Sequence, residues 1–201
     1  EPASPTISGS TFSNAKLAEA VGKIAAVKGG AIEVVLYQKI SIGDGKQANN
    51  PWLQELPDPI SKVTWDNYVI MAPAMAKTLL DIDVLNKDSK RQADAYEVHP
   101  EKPVVKVTAN GKSIELPVLI VPGNHPNVIS IAVGYGRQSS DAAKTAEFIG
   151  RAANGAGKNA YPLAGFDGTT FQYNAEVKVQ KTGETYPLAQ TQVHGFTESR
   201  P

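Results

Sequence analysis

The spacing of apolar residues divides the chain into short elements of changing period. Leu17, Val21, Ile24 and Ala25 recur at helical intervals after Ser13, which predicts a helix over Ser13 to Val27, capped by the serine and stopped by Gly29-Gly30. Ala31 to Ile42 (AIEVVLYQKISI) is β-branched and reads as a buried strand closed by Gly43-Asp44-Gly45. Trp65 to Ala72 predicts a second strand, and Pro73 suits the first position of a short helix through Leu80. Asp81 to Lys102 is polar and reads as an excursion with little core. Pro103 to Thr108 and Ser113 to Val121 flank Asn110-Gly111, a pair favoured in tight hairpin turns. Val128 to Val133 predicts another strand, and Ser140 to Ala153 a helix with Ala143, Ala146, Phe148 and Ile149 inward. Thr170 to Gln180 alternates Phe171, Tyr173, Ala175, Val177 and Val179 with other residues, the period of a half-buried strand. About six strands with two or three short helices, and no strict βαβ alternation, favour a mainly β domain closed as a barrel over a doubly wound sheet.

One segment has neither period. Asn49 to Tyr68 (NNPWLQELPDPISKVTWDNY) holds both tryptophans and three prolines. Ordering it is costly, because fixing each backbone residue loses roughly 1–2 kcal/mol of conformational entropy. Irregular connections of this length are binding loops or linkers. Trp52, Leu53, Leu56, Ile60 and Trp65 are too apolar for a linker, so the expectation is a loop pinned onto a core, where a ligand, a partner or another part of a larger protein is held.

Composition narrows the classes. With 201 residues and 41% hydrophobic content, the chain can bury a core as one domain, or one domain with an appendage. A formal net charge of zero argues against binding to nucleic acid, which needs a basic surface. No run of about 18 apolar residues offers a helical membrane span, and the sequence from Glu1 is not a basic-then-apolar leader. The absence of cysteine excludes disulfides and thiolate-ligated metal sites within this chain.

The search for chemistry is mostly negative. His99, His125 and His194 each sit beside Pro or Gly without a partner at fixed spacing, and read as loop residues. Glu55 and Asp58 could pair for acid–base work, but Asp58 between Pro57 and Pro59 reads better as a turn residue satisfying backbone amides. Gly155-Ala156-Gly157-Lys158-Asn159-Ala160 imitates a dinucleotide fingerprint but lacks the preceding strand, and Ala152 and Asn159 break the Walker pattern. What remains is a Gly- and Asn-rich turn that would offer amides to a heterocycle or phosphate, or serve as an ordinary turn. Gly134-Tyr135-Gly136-Arg137 ends a strand with an aromatic face and a planar cation; it could hold a nucleotide or carboxylate, or pack Tyr135 and leave Arg137 at the surface.

Four stretches carry a family resemblance: ANNPWLQELPDPISKVTWDNYV from Ala48, ELPVLIVPGNHPNVISIAVGYGR from Glu115, GKNAYPL from Gly157 and TQVHGFTESRP from Thr191. Over most of residues 31–201 the chain resembles the molybdopterin-oxidoreductase-like iron–sulfur subunit of bacterial alternative complex III, a quinol-oxidising membrane complex. That subunit fuses a molybdopterin-oxidoreductase-like region to a cysteine-rich iron–sulfur region. More distantly, the order is similar to the molybdopterin-dinucleotide-binding domain of the dimethyl sulfoxide reductase superfamily, a double-psi β-barrel. The superfamily's pterin-contacting turn corresponds to Ala153, Asn154, Asn159 and Leu163, here expanded by Gly155-Ala156-Gly157-Lys158. The polar stretch Asp81 to Lys102 is also longer than the superfamily's link.

The resemblance implies a double-psi β-barrel over residues 31–190, preceded by a helical segment over 1–30 that could belong to an upstream domain. Residues 191–201 would be a tail leading to the iron–sulfur region. It implies no cofactor in this fragment and no catalytic or metal-binding residue, the clusters lying in the missing downstream region. The domain would pack against the upstream molybdopterin-like domains, the iron–sulfur region and other subunits at the periplasmic face of the membrane, with Trp52, Leu56 and Trp65 as anchors. Two alternatives stay open. One is a genuine molybdopterin guanine dinucleotide site formed by Asn50, Tyr135, Arg137, Asn154 and Asn159. The other is a free-standing module for a small carboxylate or sugar.

Overall fold

Pro73 opens the helix it predicts. The computed structural model describes residues 13–26, 30–84, 101–138, 149–166, 168 and 170–191. Three α-helices lie among them: α1 (Asn14–Ala26), α2 (Pro51–Glu55) and α3 (Pro73–Leu80). Helix α3 turns Met75, Ala76 and Leu80 inward, and ends where Asp81 adopts a left-handed conformation whose N–H reaches the Ala76 carbonyl. Helix α1 starts at Ser13 as its cap predicts, but Leu17 and Val21 on its apolar stripe are about half exposed.

Nine strands lie among the described residues. They are β1 (Glu33–Tyr37), β2 (Val69–Met71), β3 (Glu101–Ala109), β4 (Lys112–Ile120) and β5 (Val128–Ala132), then β6 (Gly165–Phe166), β7 (Phe171–Gln172), β8 (Asn174–Glu176) and β9 (Lys178–Pro187). The β3–β4 hairpin is the one Asn110-Gly111 demands. Both residues have positive φ, +49° and +72°, as a two-residue turn matched to strand twist requires.

Seven strands make one mixed sheet in the order β8-β1-β5-β2-β4-β3-β9, while β6 and β7 form a separate hairpin. The pairs β1–β5 and β2–β4 are parallel, and the other neighbours are antiparallel. Its two edge strands, β8 and β9, are separated in sequence by Val177 alone. A flat seven-stranded sheet would hold its edges roughly 29 Å apart, far beyond the reach of one residue. The sheet therefore curls until its edges meet at Val177, which is buried and donates to the Ile32 carbonyl at 2.9 Å. The edges do not pair, so the sheet is not closed into a barrel. One face carries the core: Val34, Met71, Val107, Val118 and Ile131 pack with α3 and Leu163.

Three predicted strands are shorter than expected. The run through Ile42 breaks after Tyr37, because Lys39 and Gly43 close a tight turn. Gly45 and Gly134 touch there so closely that a Cβ on either would lie 2.8 Å from the other's backbone. The strand from Trp65 begins only at Val69: Trp65 itself has φ +65°, and Asp66 and Asn67 turn their side chains to other segments. Thr170 to Gln180 splits into three strands as the chain crosses from one sheet edge to the other, leaving Phe171 and Tyr173 exposed. Of the expected helix over Ser140 to Ala153, residues 140–148 lie outside the described set and residues 151–153 form a turn. Most of the 81–102 excursion, residues 1–12 and residues 192–201 also lie outside it.

Candidate functional site

The Trp-bearing loop is ordered by polar groups. Asn50 caps α2, its Oδ1 accepting from the amides of Trp52 (3.0 Å) and Leu53 (3.4 Å), and Pro51 occupies the first turn. Gln54 points inward and donates to the Ala48 carbonyl at 2.8 Å. Asp58 is the turn residue its prolines imply: Oδ1 accepts from the Ile60 amide (3.0 Å), the Ser61 amide (2.8 Å) and the Ser61 hydroxyl (3.0 Å). Burial pushes the Asp58 carboxyl up, but those donors outweigh it and hold the group below its ordinary value. Ser61 also bonds the hydroxyl of Tyr68.

The apolar residues do the opposite of what their composition suggests. Trp52 and Ile60 are each 81% exposed and Leu56 is 45% exposed, while Leu53 and Trp65 are half-buried. The loop is pinned, but by Asp58, Ser61, Asn67 and the buried Val63 and Tyr68 rather than by Trp52, Leu56 and Ile60. Buried polar atoms must find partners, and the many loop amides require these groups beneath the backbone.

Under the loop sits a buried lysine. Lys39 is 5% exposed, and its Nζ donates to the Asp66 carbonyl at 2.9 Å. The same atom lies 4.4 Å from the ring centre of Tyr68 and 5.3 Å from that of Tyr135. Burial lowers Lys39 from 10.5 to about 8, against the opposing pull of Asp58 and Asp66. Burial likewise raises Tyr68 and Tyr135 and pushes Tyr37 up to about 12, so all three phenols stay neutral at pH 7. Burial also raises Asp66, against the Tyr186 hydroxyl (3.1 Å) and the Gly157 amide (3.1 Å). The sequence offers little hint of this cluster beyond a lysine set inside AIEVVLYQKISI.

The Gly- and Asn-rich turn is clasped by the same loop. Asn67, 1% exposed, donates to the carbonyls of Ala132 (2.8 Å) and Lys158 (2.9 Å) and accepts from the Lys158 amide (2.8 Å). The Gly157 amide goes to Asp66, and the Gly136 amide to the Ala156 carbonyl at 2.8 Å. The sequence suggests a turn with free amides; those of Gly157 and Lys158 are spent internally. Gly136 is obligatory here, since a Cβ would lie 2.0 Å from the Asn159 amide nitrogen and φ is +74°. Beside the turn lie a cleft of 240 Å³ between Asp66, Lys158, Glu184 and Tyr186 and another of 460 Å³ between Lys106, Glu115, Gln138 and Asn159.

The residues of the dinucleotide alternative meet in part. Arg137 and Asn154 form a parallel bridge, bringing Gly-Tyr-Gly-Arg against the turn. Asn50 caps α2, the Asn159 Oδ1 accepts from the Tyr161 amide at 3.1 Å, and Tyr135 is buried on Lys39. That leaves Arg137 and Asn154 exposed, a poor fit to a dinucleotide, which needs a run of amides and side chains along its phosphates. His125 is a loop residue whose Nδ1 accepts from the Asn127 amide at 3.2 Å; His99 and His194 lie outside the described residues. Glu55 is exposed. Among the described residues no three His, Asp or Glu side chains group as metal ligands, and no helix is long and apolar enough to cross a membrane. Set against models of known protein families and against characterised proteins, the chain matches none.

Proposed function

We propose that this chain is a non-catalytic interface domain of a larger redox protein, of the kind found in the molybdopterin-oxidoreductase-like iron–sulfur subunit of alternative complex III. The observation that carries the reading is the outward presentation of Trp52, Ile60 and Leu56 on a loop ordered by hydrogen bonds beneath it. A large aromatic side chain on a pre-ordered scaffold loses little entropy on docking, and such residues dominate interface energetics. The occupant of this surface is a neighbouring region of the same polypeptide, the upstream molybdopterin-like domains or the iron–sulfur region, within an assembly at the periplasmic face of the membrane. The double-psi barrel is the finer fold assignment we attach to the curled sheet. The parallel pairs β1–β5 and β2–β4 and the joining of both sheet edges at Val177 support it.

The proposal assigns no cofactor to this domain. The one feature favouring molybdopterin guanine dinucleotide is the juxtaposition of Arg137 and Asn154, and stoichiometric molybdenum in the full-length subunit would displace the interface reading. Saturable micromolar binding of a small carboxylate or sugar to the isolated chain would displace it in favour of a free-standing module. The direct test is Trp52→Ala in the full-length subunit. Protease sensitivity at the domain junctions should rise and partner cross-links should weaken. Unchanged junctions and cross-links would refute the assignment.

A further inference from the structure

Lys39 is enclosed by groups from two separate segments. The Trp-bearing loop contributes the Tyr68 ring, the Asp66 carbonyl and, at longer range, the Asp58 carboxylate, and the segment after β5 contributes the Tyr135 ring. Among the described ion pairs none involves Lys39. Its charge is therefore held by one carbonyl and two aromatic faces, with Asp58 and Asp66 acting from a longer distance. The carbonyl and the nearer ring both belong to the loop. Lifting the loop would remove them and return the ammonium to water.

We propose that opening of the Trp-bearing loop is linked to the protonation of Lys39, the charged lysine favouring the open loop and the neutral amine the closed one. The direction follows from solvation: a buried charge is penalised relative to the same charge in water, whereas a neutral amine is not. Lys39 titrates at about 8 when enclosed and at the ordinary 10.5 when exposed. Between those values the open state binds one more proton than the closed state, so each rise of one pH unit shifts the balance about tenfold toward closure. Below about 8 both states are charged and the linkage disappears. Of the surrounding groups, the phenols of Tyr37, Tyr68 and Tyr135 are raised from 10.0 by burial, so any that the opening exposes returns to its ordinary value and opposes the lysine slope only at the top of this window. The Asp58 carboxyl is held below its ordinary value and that of Asp66 is raised by burial. Its consequence for docking through Trp52 rests on the interface reading above; the linkage itself does not.

Amide hydrogen exchange of Lys62, Thr64 and Trp65, whose N–H groups bond Asp58, Ala189 and Gln54, reads the loop directly. After correction for intrinsic base catalysis, the opening constant of the wild-type chain should be flat from pH 6 to about 7.5. It should then fall, approaching tenfold per unit, from about 8 toward about 9.5. Lys39→Met should be flat throughout, at the wild type's alkaline level. A wild-type profile without slope, or a Lys39→Met profile with the same slope, overturns the proposal. Should Lys39→Met not fold, the ¹³Cε shift of Lys39 in the wild type decides: a midpoint near 8 supports the linkage, and one at or above 10.5 sinks it. Loss of slope sinks the linkage and leaves the docking reading untouched, whereas intact junctions in Trp52→Ala do the reverse.

Discussion

Asn67 joins three segments that are distant in sequence, and its removal offers the sharpest test of how this fold is held. In Asn67→Ala, the Ala132 carbonyl loses a donor at 2.8 Å, and the Lys158 peptide loses a donor at 2.9 Å and an acceptor at 2.8 Å. Each such bond contributes about 1 kcal/mol net, which gives about 3 kcal/mol for three. Lys158 is exposed and water can take over its peptide, but Ala132 is 1% exposed. Stranding that carbonyl adds about 1 kcal/mol. The expected loss is therefore about 3–4 kcal/mol, or about 6–16 °C in Tm for a domain of this size. Asn67→Asp keeps the shape but sets a carboxylate against two carbonyl oxygens, so it should be at least as damaging at pH 7 and recover part of the loss on acidification. Urea unfolding followed by tryptophan fluorescence, with calorimetry for Tm, measures both variants. A loss below about 1 kcal/mol for Asn67→Ala would refute the claim that this side chain clasps the loop to the turn.

Other substitutions separate scaffold from surface. Trp52→Ala removes an 81% exposed side chain and should change the stability of the isolated chain by no more than about 0.5 kcal/mol, checked by the same urea titration. Gly136→Ala forces both a positive φ and a 2.0 Å approach to the Asn159 nitrogen; a loss of at least about 3 kcal/mol, or failure to fold, is expected by circular dichroism. Asp58 has a carboxyl held below 3.8 in the folded chain, so its contribution is complete above the unfolded value and lost as pH falls through the lower folded value. Asp58→Asn should thus be less stable at pH 7 and show a flatter acid limb when Tm is followed from pH 6 to pH 2.

Reading the sequence succeeded where a local cause decides. The Ser13 cap, Pro73 at a helix start and Asn110-Gly111 at a hairpin each act within a few residues, and each produced its element. Asp58 between two prolines was legible for the same reason. Strand ends were less so: the chain leaves β1 after Tyr37 through the Lys39–Gly43 turn, and the close approach of Gly45 to Gly134, far along the chain, is part of what holds that turn in place. The Trp-bearing loop was recognised as ordered, but its packing was inverted. A composition rich in Trp, Leu and Ile suggests burial, yet whether those side chains or Asn67, Ser61 and Tyr68 face inward depends on which carbonyls and amides lie beneath.

By itself the amino-acid order determined a mainly β domain, the starts of helices α1 and α3, the hairpin and the location of the Trp-bearing loop, because propensity, capping and turn chemistry are properties of neighbouring residues. Only the tertiary structure decided that the strand after Thr170 is divided between a separate hairpin and the two edges of one curled sheet. It also decided that Lys39 is enclosed by tyrosines and that Asp66 and Asn67 of the loop take up the Gly157 and Lys158 amides of the Asn-rich turn. These features join residues far apart in the chain, and their partners are selected by burial and geometry in three dimensions, which no local pattern encodes.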